Sequence, residues 1–345
     1  MTSRDPGALA ASILPWLHAR MPQAASIDLP PPRSPEAGAS SDTWFIEPVI
    51  REAGEPRREQ WVLRIEPTDF RIYKDAAVER QYRVMALLHE TGAVPVPRAF
   101  WYEADRSILG APFFLMERVE GETLPSRHHR EGLLARSTAK DREAIWLSAI
   151  ETLAKIHRVA DPRLDFLARP DLGPTGLDQE IAYWFDYLRW TGAPVREVQA
   201  RAQRWLSDHA PRARGGGLAW GDARLGNMIF RANACQAVID WETASLGGAE
   251  TDLGWWLFYE WYGTEGTGAP RLEGLGDRAA TVAAWESFAG RKAEALDWHE
   301  VFATWRFGAI VDRARLLAEQ LGRGPVAPLK ATRIIDQRLE SLIAG

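Results

Sequence analysis

Residues 218–240, LAWGDARLGNMIFRANACQAVID, constrain the fold more than any other part of the chain. Two apolar runs of strand length, residues 228–230 and 237–239, are joined by a polar turn, a pattern typical of a β-hairpin. In a hairpin, the start of the first strand lies beside the end of the second. We therefore expect Asn227 and Asp240, thirteen positions apart in the sequence, to be neighbours in space.

Three oxygen-bearing side chains are associated with this hairpin, because Asp222 lies on the loop that leads into it. Two carboxylates and a carboxamide are costly to hold together unless a cation lies among them. Oxygen-only ligands suit a hard ion, and Mg²⁺ typically takes one or two carboxylates plus substrate phosphates. Asn227 and Asp240 are candidate ligands, which leaves Asp222 to accept a proton from a hydroxyl. The same D-x-x-x-x-N spacing, followed by a later Asp, occurs in protein kinases.

The segments GDARLGNMIF…VIDWETASLGGAETDLGWW and VPVPRAFWYEADRSILGAPFFLMERVEG resemble the aminoglycoside phosphotransferase/choline kinase superfamily. Within this superfamily, the two segments more closely resemble the broad bacterial phosphotransferase family. The resemblance covers roughly residues 38–256. It implies a two-lobed, protein-kinase-like α+β fold, with a small antiparallel-sheet N-lobe and a larger, mainly helical C-lobe. We expect an N-terminal helix and Pro-rich linker (1–36), a nucleotide-binding lobe (37–119) and a catalytic, acceptor-binding lobe (120–345).

The resemblance also implies roles for individual residues. Asp222 would be the catalytic base, and Asn227 and Asp240 would hold Mg²⁺. Arg64 occupies the position of the basic residue that pairs with the nucleotide phosphates, and ATP or GTP would be the donor. One departure from the family pattern is Trp220, which stands where the family usually has a His that braces the loop.

The helix partner of Arg64 also departs from the family pattern. The position of the usual Glu is matched by Gln81, which can hydrogen-bond an Arg but cannot form a charge pair. Glu79 lies two positions away and on another face of the helix. Gln81 and Glu79 both remain candidate partners of Arg64.

Further nucleotide contacts are implied in the first lobe. Gly38, Ser40 and Ser41 lie in a small-residue turn, where kinases place backbone N–H groups over the phosphates. An ordinary hairpin turn explains these three residues equally well. The backbone of Glu117 and Val119 would hydrogen-bond adenine.

Several elements are expected around these residues. We predict one strand over 43–50, a helix over 178–190 N-capped by Asp178, and an apolar helix over 253–261 N-capped by Asp252. The family has an Asp at this last position that braces the catalytic loop. His157, at the end of a buried helix, is interpreted as a packed, hydrogen-bonded histidine.

Composition excludes some classes of partner. A net charge of −5 gives no electrostatic argument for binding nucleic acid or an anionic membrane. A single cysteine, Cys235, rules out an intramolecular disulfide and fits a reducing cytoplasm. The apolar patch at residues 8–17 is too short to span a bilayer and lacks the layout of a signal peptide. The sequence specifies no oligomeric state.

We therefore expect a small-molecule kinase that transfers the γ-phosphoryl group to a hydroxyl. One alternative is a nucleotide-binding pseudokinase or regulatory module, which Gln81 and Trp220 favour. A metal-dependent hydrolase is a weaker alternative, because none of the seven histidines lies near the three site residues in sequence.

The acceptor is expected to be a small hydroxylated compound that is not polycationic. Residues 265–345 contain eleven acidic and eleven basic side chains, so this region has no acidic bias to attract a polycation. The helix before it is aromatic instead, which is compatible with an apolar or aromatic acceptor or with simple core packing. Its aromatic residues are Trp255, Trp256, Phe258, Tyr259, Trp261 and Tyr262.

Overall fold

The computed structural model describes residues 4–35, 42–68, 71–75, 78–212, 216–322 and 326–344. Contacts divide the chain into two compact units, residues 1–90 with 97–119, and residues 91–96 with 120–345. No helix in the described ranges is both long and apolar enough to cross a membrane.

The first unit combines antiparallel strands with a few helices. Its four-stranded sheet has the order β2-β5-β7-β6, and a three-stranded sheet has the order β1-β3-β4. The elements in chain order are α1 (Pro6–Arg20), β1 (Ser26–Asp28), β2 (Asp42–Ile46), β3 (Val49–Arg51), β4 (Arg57–Arg58), β5 (Trp61–Ile65), α2 (Val78–Thr91), β6 (Ala99–Glu103), α3 (Arg106–Leu109) and β7 (Phe113–Glu117).

One core holds the helix α1 to these sheets. Ile13, Trp16 and Leu17 on α1 are buried in the same apolar cluster as Leu63 and Phe113. The prediction of a single strand over 43–50 is wrong, because β2 and β3 belong to different sheets. The break falls at Pro48, which has no N–H to donate to a ladder and is therefore disfavoured inside a strand.

The second unit is mainly helical and carries one small sheet, with the order β10-β9-β8. Helix α8 packs against α10, and α5 packs against both α9 and β10. The elements are β8 (Glu122–Thr123), α4 (Gly132–Arg136), α5 (Ala139–His157), α6 (Gly176–Thr191), α7 (Glu197–Asp208), β9 (Met228–Arg231), β10 (Ala234–Val238), α8 (Ala249–Trp261), α9 (Arg278–Ala289), α10 (Leu296–Gln320) and α11 (Val326–Ile343).

The predicted hairpin is confirmed. Strands β9 and β10 are joined by Ala232 and Asn233, both with positive φ (50° and 63°), as a tight two-residue hairpin turn requires. At its open end the Ile239 N–H donates to the Asn227 carbonyl at 3.0 Å. Asn227 therefore lies beside the residue that precedes Asp240.

Two predicted helix starts are wrong by a few residues. Helix α6 begins after Thr175, whose hydroxyl accepts from the Asp178 N–H, so Asp178 lies in the first turn and is not the cap. Helix α8 begins after Gly248, and Asp252 also lies in the first turn. In both helices the residues just before the Asp already have helical backbone geometry, so the helix begins before the apolar run.

Candidate active site

The loop before the hairpin depends on a glycine. Gly221 has φ of 93°, and a Cβ at this position would lie 2.2 Å from the Thr243 carbonyl oxygen. Any side chain would therefore strain the backbone and push the loop away from residues 241–245. The close approach fixes the position of the next residue, Asp222.

Asp222 is held by three donors on its two carboxylate oxygens. The Trp255 indole N–H donates to Oδ1 at 2.8 Å. The Asn227 amide and the Arg224 Nε–H donate to Oδ2 at 2.6 and 3.1 Å. Only 8% of the residue is exposed, so its orientation is set before any substrate arrives.

These contacts determine the charge of Asp222. Burial acts to raise its pKa, but the nearby Arg224 charge and the hydrogen bonds from Trp255, Arg224 and Asn227 outweigh burial. The pKa therefore lies below the usual range, and Asp222 is a carboxylate at neutral pH. A base of this kind is better suited to orienting a hydroxyl than to removing its proton early.

Asn227 and Asp240 carry side-chain oxygen atoms at the end of the hairpin that could bind a cation. Asn227 uses its amide nitrogen for both bonds to Asp222, one to the side chain and one to the backbone carbonyl at 3.1 Å. The amide oxygen therefore remains able to ligate a cation. Asp240 has φ of 63°, a conformation that is sparsely populated outside glycine and often found at functional sites. An amide oxygen and a carboxylate fit a hard divalent cation such as Mg²⁺.

Trp220 couples the loop to this end of the hairpin. Its indole N–H lies 3.0 Å from the Ile239 carbonyl and 3.2 Å from the Asp240 carbonyl, and it donates to both. The ring is fully buried and lies 5.9 Å from the Trp241 ring. Trp220 therefore has a bracing function of its own at the position where the family usually has His.

A buried carboxylate, Asp252, fixes the same loop from the other side. The backbone N–H groups of Trp220 and Gly221 donate to it at 2.6 and 2.8 Å. His157 Nε2 lies 3.0 Å from Asp252, and the Trp285 indole N–H donates to His157 Nδ1 at 2.9 Å. Because Nδ1 accepts, the proton of the neutral ring must be on Nε2 and point at Asp252. His157 is a packed, hydrogen-bonded histidine, as the sequence predicted.

Arg306 is a further member of the site that no sequence motif identifies. Its guanidinium lies between the rings of Trp184 and Trp255, 4.3 and 4.0 Å from their centroids, and it donates to the Gly221 carbonyl. It is 1% exposed and lies within an apolar stretch of α10, residues 301–311. The sequence signal that could have identified Arg306 is a lone charge in an apolar helical stretch. Such a residue is buried only when it has a partner.

Arg64 contacts Gln81 in the first unit. Its guanidinium donates to Gln81 Oε1 at 3.3 Å and to the Thr43 hydroxyl at 3.2 Å. Gln81 is buried, whereas Glu79 is exposed and lies 3.6 Å from Arg83. Of the two residues left open by the sequence, Gln81 is the one that contacts Arg64.

The other predicted nucleotide contacts are placed only in part. Gly38, Ser40 and Ser41 lie outside the described residues. Glu117 ends β7, and its N–H donates to the Arg98 carbonyl at 2.8 Å, which restricts any adenine contact at this residue to its carbonyl oxygen. Val119 follows two residues later and is half-buried.

Solved structures share this fold over almost the whole chain. A Ralstonia eutropha protein provisionally classed as an aminoglycoside phosphotransferase is 21% identical, with a TM-score of 0.71 over 96% of this chain and 97% of that one. An amicoumacin kinase in complex with AMP-PNP, Ca²⁺ and its substrate is 12% identical, with a TM-score of 0.57 over 95% and 93%. The two-lobed, kinase-like α+β fold predicted from the sequence is confirmed.

Curated relatives match a smaller part of their own length. Human acyl-CoA dehydrogenase family member 11 is 28% identical over 255 residues, which is 69% of this chain and 30% of that protein. Family member 10 from Mus musculus is 30% identical over 220 residues, 63% of this chain and 19% of that protein. The chain thus spans less than a third of these relatives. A model of the phosphotransferase enzyme family matches residues 33–291, well over half of the chain, and the chain belongs to that family.

Proposed function

We propose that the protein is a small-molecule kinase that transfers the γ-phosphoryl group of ATP to a hydroxyl, with Mg²⁺ bound. The observation that carries the proposal is the arrangement of Asp222, Asn227 and Asp240 at the end of one hairpin. The carboxylate of Asp222 is buried and fixed by three donors, one of which is the Asn227 amide. Asp240 follows Ile239, whose N–H donates to the Asn227 carbonyl. The dehydrogenase names of the curated relatives belong to proteins more than three times as long as the matched region.

Asp222 would orient the acceptor. The hydroxyl oxygen forms a bond to the γ-phosphorus, the bond from that phosphorus to the bridging oxygen breaks, and ADP leaves. The hydroxyl proton passes to a carboxylate oxygen of Asp222. Because the pKa of Asp222 is lowered, the proton moves late, when the P–O bond has largely formed, which suits a loose transition state.

The amide oxygen of Asn227 and the carboxylate of Asp240 would hold the cation, which neutralises charge on the phosphates. The bonds that Trp220 donates to the Ile239 and Asp240 carbonyls, and the bond that Asn227 donates to Asp222, would hold both residues in place before the nucleotide binds. In the first unit, Arg64 would contact the phosphates and the carbonyl of Glu117 would accept from adenine. Such an enzyme would act where ATP is supplied, in the cytoplasm, and a chain with a single cysteine, Cys235, is compatible with that compartment.

The acceptor that we propose is uncharged or weakly charged. Arg224 compensates the charge of Asp222, so the immediate surroundings of this carboxylate offer a polycation little net attraction. On α8, Trp255, Trp256 and Phe258 are core residues, each 1% exposed. Tyr259 and Tyr262 are half-buried and form a cluster with Phe307, at centroid distances of 5.4 and 5.2 Å. These three rings provide an apolar surface beside Trp255, the donor to Asp222.

The pseudokinase alternative rests on Gln81 and Trp220. Both residues make contacts that retain the expected architecture, Gln81 with Arg64 and Trp220 with the hairpin end. These contacts favour an active enzyme, because a degraded site would be expected to lose such interactions.

The decisive experiment is ³¹P-monitored ATP turnover with a panel of hydroxylated metabolites, from aromatic alcohols to aminoglycosides. The wild type is compared with Asp222→Ala and with Asp208→Ala, an exposed control. Turnover that needs an acceptor and is lost only in Asp222→Ala supports the proposal. ATP binding without turnover across the panel contradicts the assignment as a kinase. Strong aminoglycoside phosphorylation contradicts the proposed acceptor.

A further inference from the structure

A second group of potentially ligating side chains consists of residues other than the three site residues described above. His128 and His129 lie in the segment between β8 and α4, and Glu260 lies in the last turn of α8. His128 Nε2 is 3.4 Å from Glu260 Oε1, and His129 Nε2 is 3.6 Å from Glu260 Oε2. One potential ligand atom from each residue lies within 4.8 Å of the others.

These separations match those around a metal ion. Both distances exceed the usual range for an N–H···O hydrogen bond. Nitrogen and oxygen ligands about 2.0–2.2 Å from a tetrahedral zinc ion are about 3.3–3.6 Å apart. The two imidazoles, with ring centroids 4.4 Å apart, therefore already stand at ligand spacing from the carboxylate.

Burial makes this arrangement costly without an ion. His129 is 4% exposed, and neither of its ring nitrogens has a hydrogen-bond partner among the described residues. The same holds for the buried Nε2 of His128. Buried polar atoms nearly always have a partner, and each one without a partner reduces stability. A cation at this point would give a partner to Nε2 of each ring.

The carboxylate of Glu260 is also supported by a neighbouring arginine. Arg271 lies 3.4 Å from Oε2 and also donates to the Gly276 carbonyl. One carboxylate oxygen can therefore bind an ion while the other contacts Arg271, in the manner of an outer-shell partner.

We propose that His128, His129 and Glu260 bind a divalent transition-metal ion, with zinc as the preferred ion. Two imidazoles and one carboxylate suit zinc and its neighbours, whereas Mg²⁺ and Ca²⁺ prefer oxygen ligands. The side chain of His128 is 12% exposed, which leaves a route for a water molecule as fourth ligand. The ion would join the segment before α4 to α8, the helix that also carries Trp255. This makes it a stabilising ion, distinct from the cation proposed at Asn227 and Asp240.

The test is zinc binding to tag-free protein stripped with a chelator. Equilibrium dialysis should show one zinc ion bound at micromolar or lower concentration, and the thermal midpoint should rise on adding zinc. His129→Asn and Glu260→Gln should each weaken binding at least roughly 10²-fold and abolish the thermal shift. His89→Asn, which changes an exposed histidine in the first unit, should bind like the wild type.

X-ray absorption of the zinc-loaded wild type keeps the proposal testable if a variant fails to fold. It should show two imidazoles and oxygen ligands, without sulfur. No zinc bound at about 100 μM in the wild type would overturn the proposal. So would unchanged affinity in folded Glu260→Gln, or a sulfur ligand, which would indicate Cys235.

Discussion

The loop that carries Asp222 and the surroundings of Arg64 hold their charges in different ways. Asp222 and Asp252 are buried, and each receives several hydrogen bonds, from Trp255, Asn227 and Arg224 in one case and from two backbone N–H groups in the other. Arg64 is half-buried, and its contacts include two neutral acceptors, Gln81 and Thr43.

The two regions are therefore organised by different kinds of interaction. A buried carboxylate must be compensated in the free protein, because an unpaired buried charge costs several kcal/mol. The loop is therefore built in advance of its substrates. Gln81 carries no charge to pair with Arg64, and an anionic ligand such as a phosphate would supply one. Changes in the loop should lower turnover, whereas changes around Arg64 should lower nucleotide affinity.

The largest effect is expected for Asp240→Asn. Loss of the metal-binding charge should reduce phosphoryl transfer by at least roughly 10³-fold, while the fold is kept because Asn tolerates positive φ. The rate of phosphoryl transfer from ATP to an acceptor is measured for this variant and for the exposed control Asp208→Asn. Wild-type turnover in the variant would remove Asp240 from the metal site.

Asp222→Asn should lower kcat by at least roughly 10²-fold with little change in nucleotide affinity. The amide keeps the size of the side chain but cannot accept the hydroxyl proton. Steady-state kinetics and ATP titration separate the two effects. A variant that loses ATP binding instead would place Asp222 among the nucleotide contacts.

Arg64→Ala should weaken ATP·Mg binding by about tenfold and leave adenosine binding nearly unchanged, since only the phosphates meet the guanidinium. Calorimetric titration with both ligands is the measurement. Arg83→Ala, on the exposed face of α2, is the control. Equal weakening of both ligands would indicate a destabilised unit and exclude a phosphate contact.

Trp220→Phe removes the indole N–H shared by the Ile239 and Asp240 carbonyls. We expect the free energy of unfolding to fall by roughly 1–2 kcal/mol more than the loss of ring size explains, with a several-fold lower kcat. Trp256→Phe is a matched control, because this buried indole N–H has no hydrogen-bond partner in the described structure. Urea unfolding measures the free energy of unfolding of both variants. Equal destabilisation would argue against a bracing function for Trp220.

The smallest expected effect is a change in pH profile. In Arg224→Met, burial is no longer opposed by the Arg224 charge, so the pKa of Asp222 should rise. The acid limb of the kcat profile should then move to higher pH than in the wild type. Arg231→Met, which removes an exposed pair with Glu120, should leave the limb in place. A limb that does not move in Arg224→Met would show that Asp222 does not control it.

The sequence by itself predicted the hairpin, the proximity of Asn227 to the end of β10, and the family. These features depend on residues close together in the chain, where alternation, turn residues and a fixed spacing leave a readable pattern. The strand break at Pro48 was not predicted, and the predicted start of α8 came too late in the chain. Neither the change of sheet nor the extra helical turn leaves an apolar signal.

Only the tertiary structure revealed what holds the site in place. The bond between Trp285 and His157 joins residues 128 positions apart, and the bond from Arg306 to Gly221 spans 85. The contact of His128 and His129 with Glu260 is equally remote in sequence. Such pairings are set by how helices pack around a shared core, and any one sequence position offers many possible partners. The local pattern determines which groups are present, and the packing decides which of them meet.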